Sequence, residues 1–339
     1  MKAPFPYFGG KSMVANQVWK ALGQPGHYIE PFFGSGAVLL NRPNFDPRKY
    51  TETVNDADGY LCNVWRAIQF DPNETAKWCD WPVNHADLIA RKARLIREKN
   101  YLLENLCKDE KWFDSELAAY WIWSASCWIG SGLTRPGQRP HLGNKGMGVH
   151  AIGQIPHLSN KGMGVHAIGQ IPHLGNKGRG VHATKNNNIY EWFNDLSQRL
   201  RYVRVVCGDW TRVCGGDWQD KAWSDVGIFF DPPYAVEDRD DVYDTDSKTM
   251  GVDVRQWALE RGKRSNFRIV YAGYDTEGKE LEDAGWEVLE WKTSGGYGNT
   301  SRNGKETLGQ TNRHRERLWF SPYCKKLQKQ RDLFSLDKS

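Results

Sequence analysis

Short apolar runs recur along the chain, and most of them end at Gly, Pro or Asp. Seven of these runs are rich in β-branched and aromatic residues and have the length of strands: HYIEP near residue 29, TETVND near 53, YVRVVC near 205, VGIFFDPP near 229, FRIVYAG near 270, WEVLEW near 288 and RERLWFS near 318. Many of the intervals between them are long enough for a helix. This alternation predicts an α/β fold in which a mostly parallel sheet is covered by helices on both faces.

The interval from about residue 71 to 194 breaks this alternation. It opens with an amphipathic helical pattern (Leu88, Leu95, Ile96, Leu102, Leu103, Leu106), and a second apolar segment, ELAAYWIWSASCWIG, is predicted to stop at Gly130. We therefore expect a discontinuous α/β domain, an inserted domain that is mainly helical or irregular, and a basic tail. Their expected bounds are residues 1–70 with 195–321, residues 71–194, and residues 322–339 respectively.

Composition excludes several classes of protein. The seven cysteines are odd in number and form no C-x-x-C pair, which argues against a disulfide framework and a zinc knuckle and predicts no metal site. The N-terminus lacks an apolar signal region, and no window approaches about 18 consecutive apolar residues, so we expect neither secretion nor a membrane span. The tryptophans of the interval are expected to lie in a core: Trp112, Trp121, Trp123 and Trp128.

Positive charge is concentrated in the middle of the chain. The net charge is +5, yet the stretch from Leu117 to Tyr190 contains no Asp or Glu. A charged surface without acidic neighbours is typical of a site that binds phosphates, although a simple solvated surface is the alternative. The candidate phosphate-binding residues are the seven basic residues of this stretch: Arg135, Arg139, Lys145, Lys161, Lys177, Arg179 and Lys185.

The same stretch contains a sixteen-residue repeat over residues 141–183. HLGNKGMGVHAIGQIP from His141 recurs almost unchanged from His157, and the shorter HLGNKGRGVHA follows from His173. Three interpretations remain open: a structural stack of turns, contacts between each N-K-G-x-G unit and the phosphates of a ligand, and a metal site built from the repeated histidines. The metal interpretation is disfavoured because no cysteine or carboxylate accompanies these histidines.

A glycine-rich turn follows the first predicted strand. In YIEPFFGSGAVLLN, Gly34 and Gly36 stand between a strand and a helical run, where they would let the backbone approach a ligand at the carboxyl edge of the sheet. Asp56 ends the next strand, which is the usual position of an acid that binds the ribose of a nucleoside. A tight turn and a helix cap are the structural alternatives. Together the residues indicate a nucleoside-like ligand.

The sequence IFFDPPY at residues 228–234 indicates chemistry more directly. An apolar strand ends at Asp231, and Pro232 and Pro233 then fix the backbone and remove two donors. The Asp231 carboxylate and the Pro232 carbonyl are two acceptors beside the Tyr234 ring, a combination that suits a planar heterocycle with an exocyclic amino group. We therefore expect these residues to be catalytic.

With these motifs the chain resembles the Dam-type DNA adenine-N6 methyltransferases. The resemblance is carried, in this order, by PYFGGK at residues 6–11, EPFFGSG at 30–36, VNDADGYLCNVW at 54–65, CGDW at 207–210 and DPPY at 231–234. It implies a Rossmann-like methyltransferase sheet, S-adenosylmethionine as methyl donor, double-stranded DNA as substrate, and a target-recognition domain between the cofactor and catalytic motifs. The implied cofactor-binding residues are Tyr7, Gly10, Lys11, Glu30, Phe32, Gly34, Ser35, Gly36, Asp56, Asp209 and Asp231.

One expected motif is absent from the sequence. The family usually carries a segment similar to R-x-N-x-x-G-x-F-N-x-P-x-G in its recognition domain, and here CWIGSGLTRPGQRP and the repeats stand in its place. The target sequence is therefore open. The function expected is transfer of a methyl group to N6 of a flipped-out adenine by a bacterial or phage enzyme in the cytoplasm, acting as a monomer or weak dimer without an obligate protein partner. The alternatives are methylation of N4 of cytosine or of an RNA base, and a silent DNA-binding module.

Overall fold

A computed structural model describes most of the α/β part of the chain. The described residues are 1–5, 7, 10–82, 84–109, 111–128, 133–137, 189–216, 225–233, 250–291 and 315–326. The repeats at residues 141–183 and the tail from residue 327 lie outside them. The strands are β1 (His27–Glu30), β2 (Thr51–Asp56), β3 (Val203–Cys207), β4 (Val226–Phe230), β5 (Phe267–Tyr274), β6 (Glu287–Glu290) and β7 (Glu316–Phe320).

Ten helices accompany these strands in the described part of the chain. They are α1 (Ala15–Leu22), α2 (Ala37–Leu40), α3 (Gly59–Phe70), α4 (Pro72–Cys79), α5 (His85–Lys108), α6 (Ser115–Cys127), α7 (Ile189–Leu200), α8 (Thr211–Cys214), α9 (Met250–Arg261) and α10 (Lys279–Asp283). Each of the seven apolar runs that predicted a strand contains one, so that prediction is confirmed.

The strands form a single seven-stranded sheet in the order β3-β2-β1-β4-β5-β7-β6. The five strands from β3 to β5 pair in parallel, whereas β7 runs antiparallel to β5 and to β6. The strand order reverses between the neighbouring strands β1 and β4. From β1 the chain continues to β2 on one side of the sheet, whereas from β4 it continues to β5 on the opposite side. In open parallel sheets, ligands bind at the carboxyl edge at such a reversal.

Both faces of the central strands β4 and β5 are buried, as the apolar runs predict, whereas most of the edge strand β6 is exposed. Alternate residues of one strand point to opposite faces, so Phe229 of β4 packs in one core while Ile228 and Phe230 pack in the other. Helices α1 to α7 contribute to the first core, and α8 to α10 contribute to the second. The predicted α/β class, with helices on both faces of a Rossmann-like sheet, is confirmed.

The helices of the interval after residue 70 pack directly on α3. The Tyr60 hydroxyl donates a 2.8 Å hydrogen bond to the carbonyl of Leu95 in α5. Asn63 exchanges hydrogen bonds of 2.8 and 2.9 Å with the backbone of Asp114, which caps α6. The helix predicted from the leucine pattern is α5, while α6 ends at Cys127, before Gly130. The tryptophans predicted in a core are buried or partly buried against it, and the division into two domains stays a prediction.

In the part of the chain that the structure describes, no helix is both long enough and apolar enough to cross a membrane. Among the same residues, no three His, Cys, Asp or Glu side chains are grouped so that they could hold a metal ion.

Candidate active site

The predicted site residues meet at the carboxyl edge of the sheet. The glycine-rich turn of residues 31–36 follows β1, and Asp231 follows β4, the neighbouring strand at the reversal of strand order. Asp56 ends β2, and Asp209 lies two residues beyond β3. Since these strands are parallel and adjacent, residues far apart in sequence lie along one edge.

The glycine-rich turn requires glycine for two reasons. Gly34 has φ +48° and Gly36 has φ +63°, a left-handed conformation that costs other residues roughly 1–2 kcal/mol. A Cβ on Gly34 would lie 2.7 Å from Cε1 of Tyr7, so the N-terminal segment packs directly on the turn. The indole N–H of Trp65 donates to the Gly34 carbonyl over 3.0 Å. The turn therefore has one shape, determined by packing from both sides.

Asp56 connects the turn after β1 to the end of β2. Its Oδ2 accepts a 2.8 Å hydrogen bond from the backbone N–H of Gly34, and its Oδ1 accepts one of 2.9 Å from the N–H of Asp58. Burial raises the pKa of the Asp56 carboxyl, although these backbone hydrogen bonds oppose the rise. The carboxylate thus holds the glycine-rich turn in place at the position where a ribose-binding acid is expected.

Asn55 is a site residue that the sequence arguments missed. It is 1% exposed, and its side-chain N–H groups donate to the carbonyls of Pro31 and Gly208 over 3.0 and 2.9 Å. These two carbonyls follow β1 and β3, so one amide ties together three strand ends. The strand TETVND is largely polar, so no local pattern distinguished Asn55, and its burial and its two partners appear only in the structure.

Asp231 is paired with a buried lysine. Lys11 Nζ lies 3.0 Å from Asp231 Oδ2 and 3.8 Å from Oε2 of Glu316, and Lys11 is 4% exposed. Burial by itself would lower the pKa of Lys11, but the carboxylates of Asp231 and Glu316 outweigh it, so the pKa is raised. Lys11 therefore stays charged and holds the Asp231 carboxylate at the end of β4.

The segments predicted to bind the cofactor and to be catalytic are thus in contact through Lys11 and Asp231. Residues 7–111 match the model of the D12 class N6 adenine-specific DNA methyltransferases. Over these residues, out of 339, the chain is similar to that family. The match covers Tyr7, Lys11, the glycine-rich turn and Asp56, while Asp231 joins the same site through Lys11. A search of curated proteins returned no match.

Other predicted cofactor-binding residues of the methyltransferase occupy different environments. Glu30 is buried, and the Tyr28 hydroxyl donates to its Oε2 over 2.9 Å. Burial raises the pKa of Glu30 well above its ordinary value, against the effect of this hydrogen bond. Phe32 packs 6.4 Å from Phe230, measured between ring centres. Asp209 is exposed and accepts a 2.9 Å hydrogen bond from the N–H of Thr211 at the start of α8.

The remaining predicted residues are placed only in part. Ser35 is buried, and a Cβ on Gly10 would lie 3.5 Å from its Oγ, so the N-terminal segment also contacts this part of the turn. Pro232 is buried and Pro233 is half-buried directly after β4. Tyr234 lies outside the described residues.

Of the seven basic residues predicted to contact DNA, only Arg135 lies within the described residues. Its backbone carbonyl accepts a 3.0 Å hydrogen bond from Nζ of Lys92, which also donates to the carbonyl of Leu133. Lys92 Nζ lies 4.5 Å from the centre of the Trp128 ring. Helix α5 thus holds the backbone of this turn. The residues outside the described part are Arg139, Lys145, Lys161, Lys177, Arg179 and Lys185.

Proposed function

We propose that this DNA adenine methyltransferase binds S-adenosylmethionine at the reversal of strand order and that Asp231 and Pro232 bind the amino group of the target adenine. The observation that carries the proposal is the position of Asp231 at the end of β4, 3.0 Å from the buried Lys11 and beside the glycine-rich turn. The Asp231 carboxylate and the Pro232 carbonyl, which can accept hydrogen bonds from an exocyclic amine, thus lie next to the glycine-rich turn that is proposed to bind a nucleoside.

The described residues fit this cofactor. The turn with Gly34 and Gly36 lies where a nucleoside approaches the backbone, and Asp56 lies at the end of β2, where an acid that binds ribose hydroxyl groups is expected. Asp231 and Glu316 against Lys11 give the site a net negative charge, which favours a cationic ligand. When bound, the cofactor supplies an electrophilic methyl group on a positively charged sulfur.

The chain contributes orientation and electrostatics. The lone pair of an adenine amine is delocalised into the ring, which makes N6 a poor nucleophile. If the Asp231 carboxylate and the Pro232 carbonyl accept its two N–H groups, they favour a pyramidal nitrogen and direct its lone pair toward the methyl carbon. As the bond between N6 and the methyl carbon forms, the bond between that carbon and the cofactor sulfur breaks and its electron pair stays on the sulfur. The amine loses one proton, and Asp231 is the base proposed to accept it.

The substrate must present an unpaired base. N6 cannot reach a protein pocket inside a duplex, so the adenine is flipped out at a cost of a few kcal/mol, and Tyr234 is proposed as its stacking surface. The basic residues from Arg135 to Lys185 are proposed to bind the phosphates of double-stranded DNA. With DNA as substrate, we place the enzyme in the cytoplasm of a bacterial or phage-infected cell.

The glycine-rich turn allows a direct test of the cofactor site. Gly34→Ala should weaken the affinity for S-adenosylhomocysteine at least about tenfold, because the new Cβ adds backbone strain and contacts the Tyr7 ring 2.7 Å away. Isothermal titration calorimetry measures this affinity. The matched control is Gly285→Ala, where φ is +82° but no described atom lies within 4 Å of the new Cβ. Unchanged binding by the Gly34 variant would place the cofactor elsewhere.

The function itself is tested by transfer of a labelled methyl group. The protein is incubated with tritiated S-adenosylmethionine and unmethylated plasmid DNA, and the DNA is digested to nucleosides. We expect the label in N6-methyldeoxyadenosine. Label in N4-methyldeoxycytidine, or only in an RNA substrate, would support the alternative substrates. Cofactor binding without transfer to any nucleic acid would support a silent DNA-binding module.

A further inference from the structure

Glu316 reaches the active site from a strand that sequence motifs do not connect with it. It is the first residue of β7, and it pairs with Tyr274 at the end of β5. Because β7 is antiparallel to β5, the beginning of β7 lies at the same edge as the carboxyl ends of the parallel strands. The reversal of one strand therefore adds another carboxylate to the edge that contains Asp56 and Asp231.

The surroundings of Glu316 are unusual for a carboxylate. Its side chain is 12% exposed, and Oε2 accepts no hydrogen bond from the residues that the structure describes. Oε2 lies 3.8 Å from Lys11 Nζ, which is already paired with Asp231 at 3.0 Å. A buried charge without compensating hydrogen bonds costs stability. Stability of the fold therefore does not explain why a second buried carboxylate, Glu316, faces a lysine that is already paired with Asp231.

Apart from Lys11 and Asp231, the described charged groups near Glu316 form ion pairs with residues other than Glu316. Arg315 pairs with Asp275 at 3.1 Å, and Arg317 pairs with Glu290 at 3.4 Å. On β5 and the turn after it, Glu277 accepts a hydrogen bond from the N–H of Tyr274 and pairs with Arg255 at 3.7 Å. Lys11 from the N-terminal segment and Asp231 after β4 are the groups that act on the charge of Glu316.

We propose that Glu316 is a positioning residue for methyl transfer, which acts on Asp231 through Lys11. Because Lys11 is shared between two carboxylates, it withdraws less negative charge from Asp231 than a lysine paired with Asp231 alone. Asp231 is thereby held in place and remains a strong acceptor for the adenine amine. This inference rests on the proposed role of Asp231 in binding and deprotonating that amine.

The negative charge of Glu316 should lower the stability of the folded protein, although it is proposed to assist methyl transfer. Burial raises the pKa of Glu316, the charge of Lys11 opposes the rise, and Asp231 adds to it. A carboxyl whose pKa is raised on folding binds its proton more tightly in the native state, so stability falls as pH rises through the folded pKa. Glu316→Gln keeps the shape and removes the charge at every pH. It should therefore leave stability unchanged or increase it at neutral pH.

The test compares Glu316→Gln with the wild type and with Glu282→Gln. Glu282 accepts a 2.9 Å hydrogen bond from the indole of Trp319 in the same strand β7, outside the Lys11 cluster. For Glu316→Gln we expect kcat to fall about tenfold, because the Asp231 carboxylate becomes a weaker acceptor, with little change in the KM for DNA. The acid limb of the kcat profile should move to lower pH, because the negative charge beside Asp231 is gone. Glu316→Asp should recover part of the loss, and the control should retain wild-type activity.

Thermal unfolding and titration with S-adenosylhomocysteine give readouts that do not depend on turnover. We expect Glu316→Gln to bind S-adenosylhomocysteine like the wild type. At about pH 8 it should unfold at an equal or higher temperature than the wild type, and the difference between the two unfolding temperatures should shrink as pH falls. A lower unfolding temperature with an unchanged pH profile would overturn the proposal in favour of a structural role, and so would wild-type kcat. A wild type that binds the ligand but transfers no methyl group would instead refute the proposed function.

Discussion

Asp231→Ala should reduce methyl transfer by at least about a thousandfold while most DNA binding survives. The variant removes both the acceptor that orients the amine and the base that receives its proton, and each effect is worth about 10²-fold or more in comparable sites. We expect phosphate contacts elsewhere to supply most of the affinity for DNA, and a change at the end of β4 should leave them in place. Single-turnover transfer of tritiated methyl groups and a DNA-binding titration measure the two effects separately.

The matched control for this variant lies at the other end of the same strand. Asp225 directly precedes β4 and pairs with Arg268, whereas Asp231 directly follows β4. Asp225→Asn should therefore retain wild-type activity. Because Lys11 keeps Glu316 as a partner in Asp231→Ala, the variant should remain folded, which circular dichroism checks. Transfer at a wild-type rate by Asp231→Ala would refute the catalytic assignment.

Glu52→Ala should have the largest effect on stability, a loss of about 3–5 kcal/mol in the free energy of unfolding. Glu52 lies in β2 with its side chain fully buried, and it pairs with Arg42 at 3.1 Å and with Arg199 of α7 at 2.7 Å. Removing the carboxylate leaves two guanidinium groups, one of them fully buried, without their counter-charge. Urea unfolding followed by tryptophan fluorescence measures the loss.

The control for Glu52 is an exposed ion pair of the same type. Glu74 pairs with Lys77 at 2.8 Å, and both side chains are largely in water. Exposed pairs contribute little to stability because water already solvates both charges. Glu74→Ala should therefore leave the unfolding midpoint close to that of the wild type. Equal losses for the two variants would show that the pairs of Glu52 contribute no more than surface charges do.

The local pattern of the chain predicted its elements well. All seven strands lie at the predicted runs, most of which end at Gly, Pro or Asp, since alternation and turn residues act over a few positions. The glycine-rich turn was also visible, and Gly34 and Gly36 have the left-handed φ that only glycine adopts readily. The end of α6 was placed too late, because its cap at Trp128 carries no local stop signal.

Contacts between distant segments were not predictable in the same way. The resemblance placed both Lys11 and Asp231 in the site, but their 3.0 Å contact appears only when β4 pairs with β1. Asn55 and Glu316 were missed for the same reason: each is an ordinary polar residue in its own strand. Their importance comes from neighbours that belong to other strands.

The sequence by itself determined the α/β class, the glycine-rich turn, and the position of Asp231 and Pro232 at the end of a buried strand. These features depend on side-chain period and backbone restriction, which are local properties. Only the tertiary structure decided the strand order and the reversal of β7, because strand pairing joins residues far apart in sequence. That reversal brings Glu316 from near the end of the chain to Lys11 near its beginning, and so gives the methyltransferase a lysine shared between two carboxylates.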